Sequence, residues 1–312
     1  MTFGWLEPHQ LDGKSFPLPP DPPENAAVLL RAPHEGSPDV RVGCAEWRVK
    51  EWMGRLYPKG TKDTLLMDQY IAQYRCLEFN GTHYRIYTPQ EVRRWSGKAT
   101  GKDFQFLPKF PQSITHQSRF LNVEAETAAF LEGVEAFRPN LGPLFLQLSE
   151  YYGPAPANQR NLYRYLATLP NDFEYFLELR HPGWFSGPVL REWTTALRDM
   201  GIGAVITDTP GRRDVVHMRL TTPRVFVRFV GKARHPSTYQ RVEDWATRMK
   251  GWLNAGLKQA EFIAHCGHSA PEMSQYITER FNNVCGLQLP MPHLAARLFD
   301  PVQDAREQGV IS

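Results

Sequence analysis

Short apolar runs recur along the chain from Val40 onward, and most are separated by longer stretches in which apolar residues fall three and four apart. Eight such runs stand out, at residues 40–45, 76–80, 104–109, 143–149, 174–180, 203–208, 225–230 and 261–266. Their brevity and near-continuous apolar character predict strands buried on both faces. The stretches DTLLMDQYIAQY, PQEVRRWSGKA, VEAETAAFLEGVEAF, ANQRNLYRYLATL, PVLREWTTALRDM, RVEDWATRMKGWLN and PEMSQYITERFN predict helices. In the fifth of these, Leu190, Trp193, Leu197 and Met200 make one inward face. Pro89, Pro188 and Pro271 fall near helix starts, where first-turn N–H groups are unpaired anyway. The crossover after the sixth run, TPGRRDVVHMRLTTPR, is weak as a helix.

Strand and helix in alternation predict a parallel sheet. Eight strands with seven or eight crossovers predict an α/β fold, a single closed (β/α)8 TIM-type barrel over residues 39–300. An open doubly wound sheet would need a nucleotide-type glycine loop after the first strand, and GCAEW is not one. Residues 1–38, with FPLPPDPPENAAV and RAPHEGSPD, predict an extended proline-rich arm without regular helix, lying over the domain but outside its core. Residues 301–312 are expected to form a C-terminal tail.

The runs end in polar residues that a buried strand should lack. Glu78 and Asn80 share a face of the second run, and Glu178 and Arg180 share one of the fifth. Lys109 ends the third, Gln147 and Ser149 the fourth, Asp208 the sixth and His265 the eighth, while Arg228 interrupts the seventh. A charge facing the dry helix layer would be costly, so these groups are expected to point into the barrel and converge on its C-terminal mouth. The competing reading is a structural ion-pair layer that plugs the barrel, with Lys109 and His116 solvated in their loop. Thr82, Tyr84 and Arg85 can cap a loop or reach a ligand, and Trp47, Trp52, Tyr57 and Trp184 can pack or stack on a ligand.

Composition narrows the class. Hydrophobic residues make up 42% and charged residues 22%, without an apolar stretch of membrane-spanning length. The first residues lack the pattern of a secretory signal, so a cytoplasmic protein is expected. Thirty-six Lys and Arg against thirty-three Asp and Glu give a net charge of +3, which permits nucleic acid as a partner without demanding it. Cys44, Cys76, Cys266 and Cys285 form no C-x-x-C pair and read as free thiols.

The segments GCAEWRVKEWMGRLYPKG, YRCLEFNGTHYRIYTPQEVRRW, FQFLPKFPQSITH, GPLFLQLSEYYGP, FLELRHPGWF, ITDTP and VFVRFVG together resemble the YecE-like family, domain of unknown function 72, over roughly residues 40–282. The resemblance implies a TIM-type barrel without an established activity. A likeness in shape to endonuclease-IV-like barrels implies nucleic-acid binding as one option. The family's recurrent polar positions resemble Glu78, Asn80, Thr82, Tyr84, Lys109, Thr115, His116, Gln147, Glu178, Arg180, His181, Trp184, Asp208 and Arg228. Three departures stand out: His83 in THY for the usual TFY, QLSE with Ser149 and Glu150 for QLPP, and AHCGH in place of a pair of asparagines.

Two classes of function follow. The first is an enzyme acting on a phosphate-bearing or nucleic-acid-like substrate. Glu78, Glu178, His116 and Asp208 would be its catalytic groups, and Asn80, Tyr84, Lys109, Gln147, Arg180, His181, Trp184 and Arg228 would hold the substrate. Lys232 and Arg234, after the seventh strand, sit where barrels often bind phosphate. A divalent metal on Glu78, Glu178, Asp208 and His265 is a variant that the neighbouring basic residues disfavour. Glycoside hydrolysis by Glu78 and Glu178 lacks a proton donor. The second class is a non-catalytic binding protein for single-stranded nucleic acid or a small anionic ligand. Partners are thus an anionic small molecule or nucleic acid, with no membrane, and the oligomeric state is not readable.

Overall fold

In a computed structural model of the protein, which describes residues 3–30 and 36–295, the apolar runs form eight parallel strands. They are β1 Asp39–Cys44, β2 Cys76–Phe79, β3 Gln105–Pro108, β4 Leu144–Gln147, β5 Tyr175–Glu178, β6 Gly203–Asp208, β7 Arg224–Val230 and β8 Gln259–His265. Their order, β3-β2-β1-β8-β7-β6-β5-β4, curls the sheet until its edges meet. There Phe106 bridges to Leu141 and Lys109 to Phe145, so the barrel is nearly closed. The expected (β/α)8 TIM-type architecture is what the chain adopts.

Register sorts the strand residues into two faces. Ala45, Cys76, Leu107, Phe145, Phe176, Val205, Phe226 and Ile263 form an apolar cluster distinct from the larger core between sheet and helices, and it fills the middle of the barrel. Gly203 makes that packing fit, because a Cβ there would overlap the Phe176 ring. Two positions further along each strand, the inward residues are Glu78, Lys109, Gln147, Glu178, Thr207, Arg228 and His265. Two positions before the middle layer, β8 carries Glu261 toward the other end.

Ten α-helices occur among the described residues, two of them before the barrel: α1 Pro8–Leu11 and α2 Glu24–Leu30. The crossovers supply α3 Leu66–Ile71, α4 Gly81–Tyr84, α5 Pro89–Ala99, α6 Glu124–Glu135, α7 Pro156–Leu166, α8 Gly187–Asp199 and α9 Pro236–Ala255, and α10 Ala270–Cys285 follows β8. The sequence explains the starts. Thr88 accepts from the Glu91 N–H and Glu91 returns a bond to the Thr88 N–H, with Pro89 opening the helix. Between β6 and β7 only a short 3₁₀ turn forms, Arg213–Val215.

That weak crossover is covered by the N-terminal arm, which departs from the expected extended form. Helix α2 begins just past the prolines and packs on α9, placing Val28 and Leu29 in the core. Asn25 accepts from the Leu220 N–H at 2.9 Å and donates to the Met218 carbonyl at 2.8 Å, tying the helix over the β6–β7 connection. The arm is therefore part of the helical layer. The expected tail, residues 301–312, lies outside the described residues, as do residues 296–300 at the expected end of the barrel domain. All four cysteines are free, and no helix among the described residues is long and apolar enough to cross a membrane.

Candidate active site

Strand ends on β2, β3, β4, β5, β7 and β8 deliver their inward polar groups to one place at the C-terminal mouth. Arg228 is the hub. Its guanidinium grips Glu78 with two bonds, Nε to Oε2 at 2.9 Å and Nη2 to Oε1 at 2.8 Å. Its Nη1 donates to Glu178 Oε2 at 2.6 Å and to Gln147 Oε1 at 3.2 Å. Glu178 Oε1 accepts from Arg180 Nε at 2.6 Å and from the Thr207 hydroxyl at 2.8 Å. Glu78 also accepts from Asn80 at 2.9 Å, and His265 Nε2 lies 3.0 Å from its Oε2. Four oxygens thus share seven contacts with five side chains.

Electrostatics follows from the pairing. Burial would raise the Glu78 carboxyl, but Arg228 and His265 outweigh it and hold the group well below the usual range. Glu178 is likewise buried, yet Arg180 and Arg228 bring it down to about 2. Both glutamates stay ionised at neutral pH. Lys109 behaves oppositely: burial first, then repulsion from Arg228, pulls its amine down to about 7. It donates to Gln147 Oε1 at 2.9 Å and forms no ion pair among the described residues. Burial and the neighbouring Lys109 lower His83 and His116 to about 4, so both are neutral at pH 7.

A cavity of about 560 Å³ opens above this layer. Lys109, Arg180, Arg212 and Arg228 line it with Asn80, His83, Tyr84, Gln147 and His265; Glu46 and Glu150 also reach its wall, whereas Glu78 and Glu178 lie behind. The arm forms part of its wall. Phe3 packs on the guanidiniums of Arg180 and Arg212, with ring-centroid distances of 4.5 and 4.8 Å, and Trp5 sits over Lys232 at 4.8 Å. The Thr209 hydroxyl and the Gly211 N–H bind the Gly4 carbonyl at 2.6 and 2.9 Å, holding the arm in place. A second cavity of about 380 Å³ adjoins it through Trp5, Ala45, Glu46 and His265, and is more apolar, with Trp52 and Ala270 in its wall.

Of the expected site residues, Glu78, Asn80, Lys109, Gln147, Glu178, Arg180 and Arg228 meet at the mouth, and Tyr84 stands exposed at its rim. His116 sits beside His83, with ring centroids 5.2 Å apart, and bonds the Thr115 hydroxyl rather than a carboxylate.

Five expectations are corrected. Asp208 faces the helix layer, because its neighbour Thr207 takes the inward position; it accepts from Trp245 Nε1 at 2.7 Å and pairs with Arg241 at 3.1 Å and with Arg213. Trp184 is fully buried under the β4–α7 loop, its Nε1 donating to the Tyr152 carbonyl at 2.7 Å. His181 caps a 3₁₀ turn by accepting from the Gly183 N–H at 3.0 Å. The metal set fails with Asp208: no three His, Cys, Asp or Glu side chains among the described residues are grouped to hold an ion. Lys232, expected to bind an anion, instead pairs with Glu7 of the arm.

Sequence reasoning missed Thr207, Arg212, Phe3 and Trp5. Parity along the sixth run could have found Thr207 had its faces differed, but Ala204, Val205 and Ile206 are apolar on both.

An eight-stranded parallel barrel with a polar, cavity-forming C-terminal mouth places the protein among TIM-type barrels. The chain belongs to the DUF72 family, "Protein of unknown function DUF72", whose model matches residues 41–294. It is 27% identical over 234 residues to the UPF0759 protein YecE of Escherichia coli K12, covering 68% of this chain and 82% of that one. A DUF72 protein of Enterococcus faecalis has a similar fold, with a TM-score of 0.63 and 16% identity over 83% of this chain and 100% of the other. One from Thermotoga maritima gives 0.62 and 21% over 80% and 100%.

Proposed function

We propose that the C-terminal mouth is an active site for a small anionic substrate. The observation that carries this reading is the order of charges: Lys109, Arg180, Arg212 and Arg228 face the cavity, the glutamates paired with Arg228 and Arg180 lie behind them, and among the described residues only Glu46 and Glu150 bring carboxylates to its wall. A cavity of about 560 Å³ suits a small molecule. Phe3, Trp5 and Leu6 of the arm narrow its wall, which favours a small molecule over a nucleic-acid strand.

In this reading Arg180 and Arg212 hold the anion. Glu78 and Glu178 position Arg228 and Arg180 rather than move protons, because carboxyls held this low are weak bases near pH 7. The group suited to proton transfer is Lys109. The same full pairing of the glutamates favours, as a second reading, a binding protein for the same anions without turnover.

Calorimetric titration with inorganic phosphate and with pyruvate tests the shared premise. Saturable binding is expected, weakened at least tenfold (about 1.4 kcal/mol) by Arg180→Ala. Absence of binding by either anion, or binding indifferent to Arg180→Ala, overturns it.

A further inference from the structure

We propose that Lys109 is a covalent catalyst, its amine condensing with the carbonyl of a small substrate that also carries a carboxylate or phosphate. The proposal rests on the anion-binding reading above and names the substrate class and chemistry of that site. Lys109 occupies the third inward position of its strand, after Gln105 and Leu107, and is only 6% exposed, yet it lines the cavity. A lysine buried for structure is normally matched by a carboxylate. Here the carboxylates underneath are taken by Arg228, Arg180, Thr207, Asn80 and His265, and Lys109 is left with the neutral oxygen of Gln147. That oxygen also accepts from Arg228, which fixes the Gln147 amide and hence the amine.

The groups facing the amine all bear on its protonation. Arg228 and Arg180 discourage the ammonium, while Glu78 and Glu178 favour it less strongly than burial opposes it. With the amine pulled down to about 7, a neutral, nucleophilic form is accessible near neutral pH. The nitrogen lone pair attacks the carbonyl carbon, and as the C–N bond forms one amine proton passes to the oxygen. The C–O bond then breaks and the oxygen leaves as water with the second amine proton, so an imine remains and no oxidant or reductant is consumed. Protonated, the imine draws electrons from the adjacent bond of the substrate. His83 Nδ1 lies 2.9 Å from the Phe110 carbonyl and so bears the ring proton, leaving Nε2 as the acceptor on a neutral imidazole that lines the same cavity. Arg180 and Arg212 would hold the anionic end.

The test is reductive trapping on the full chain. Pyruvate and glyoxylate serve as carboxylate probes, and glyceraldehyde 3-phosphate and pyridoxal 5′-phosphate as phosphate probes, each with sodium cyanoborohydride, followed by peptide mapping. The expected result is an adduct on Lys109 at least tenfold above any other lysine. Its trapping rate should be half-maximal near pH 7, against roughly pH 10 for exposed lysines. Adducts from the carboxylate probes alone assign an oxo acid, and from the phosphate probes alone a phosphorylated carbonyl compound. Because the map is read on the unaltered protein, it does not depend on a variant folding; loss of the adduct in Lys109→Met, with unchanged circular dichroism, is the control. Adducts spread evenly over surface lysines overturn the proposal. So does no adduct from any probe while phosphate still binds, which leaves the anion site standing; failure of both removes both.

Discussion

Two ends of one barrel hold buried glutamates in opposite states. At the C-terminal mouth, Glu78 and Glu178 are almost fully buried and are held below the usual carboxylate range. At the N-terminal end Glu261 is as deeply buried, but burial drives it up to about 8. Its hydrogen-bond partner is the amide of Gln259, and one carboxyl oxygen has none. Arg41, across from it in the register, is engaged by Asp39 and Asp103 instead. Burial sets the tendency to be neutral at both ends. A guanidinium reverses it at one.

The hub at the mouth gives the largest effect. Arg228→Met leaves two buried carboxylates without their shared cation and is expected to cost roughly 3–5 kcal/mol in denaturant unfolding at pH 7. Arg228→Lys should recover only part of this, since an ammonium cannot bind Glu78 through two parallel bonds. A loss below about 1 kcal/mol for the methionine variant would break the comparison.

Next come the pH slopes, which should have opposite signs. Glu261 binds its proton more tightly folded than unfolded, so its contribution is present below about pH 4.5 and is lost as pH rises to about 8. Glu178 binds its proton more weakly folded, so its contribution is present above about pH 4.5 and is lost as pH falls to about 2. Glu261→Gln should therefore stabilise the protein by roughly 2–4 kcal/mol at pH 8 and flatten that limb. Lys109→Met should stabilise by a smaller amount, roughly 1–3 kcal/mol at pH 6, where the folded state carries a buried ammonium, and should abolish carbonyl trapping. The smallest stability change is expected for Arg212→Ala, within about 1 kcal/mol because its ion pairs are partly exposed, though anion affinity should fall severalfold. Thermal unfolding across pH 2–9 reads both limbs, and with phosphate titration it reads all three variants.

A third cluster qualifies what strand-end charges mean. Asp208, at the end of β6, is as buried as Glu178, yet it faces outward onto Trp245, Arg241 and Arg213. A charge on the helix side is tolerated there because α9 and the Arg213–Val215 turn supply partners. Glu78, Lys109, Gln147, Glu178 and Arg228 were legible as a converging set, because each is a polar break in an apolar run at a position of common parity. Thr207 carries no charge and gave no such break. Phe3 and Trp5 reach the cavity from far along the chain, in a segment whose prolines announce only its lack of regular structure.

Residue order alone determined the barrel: the number of strands, the helical crossovers, the weak sixth connection and the inward side of most strands follow from short-range periodicity and proline placement. Only the tertiary structure decided the chemistry at the mouth. The contacts that set it join residues as far apart as Glu78 and Arg228, 150 positions in sequence. Whether a buried carboxyl is ionised depends on which guanidinium the closed sheet brings beside it, and no local pattern in the chain carries that information.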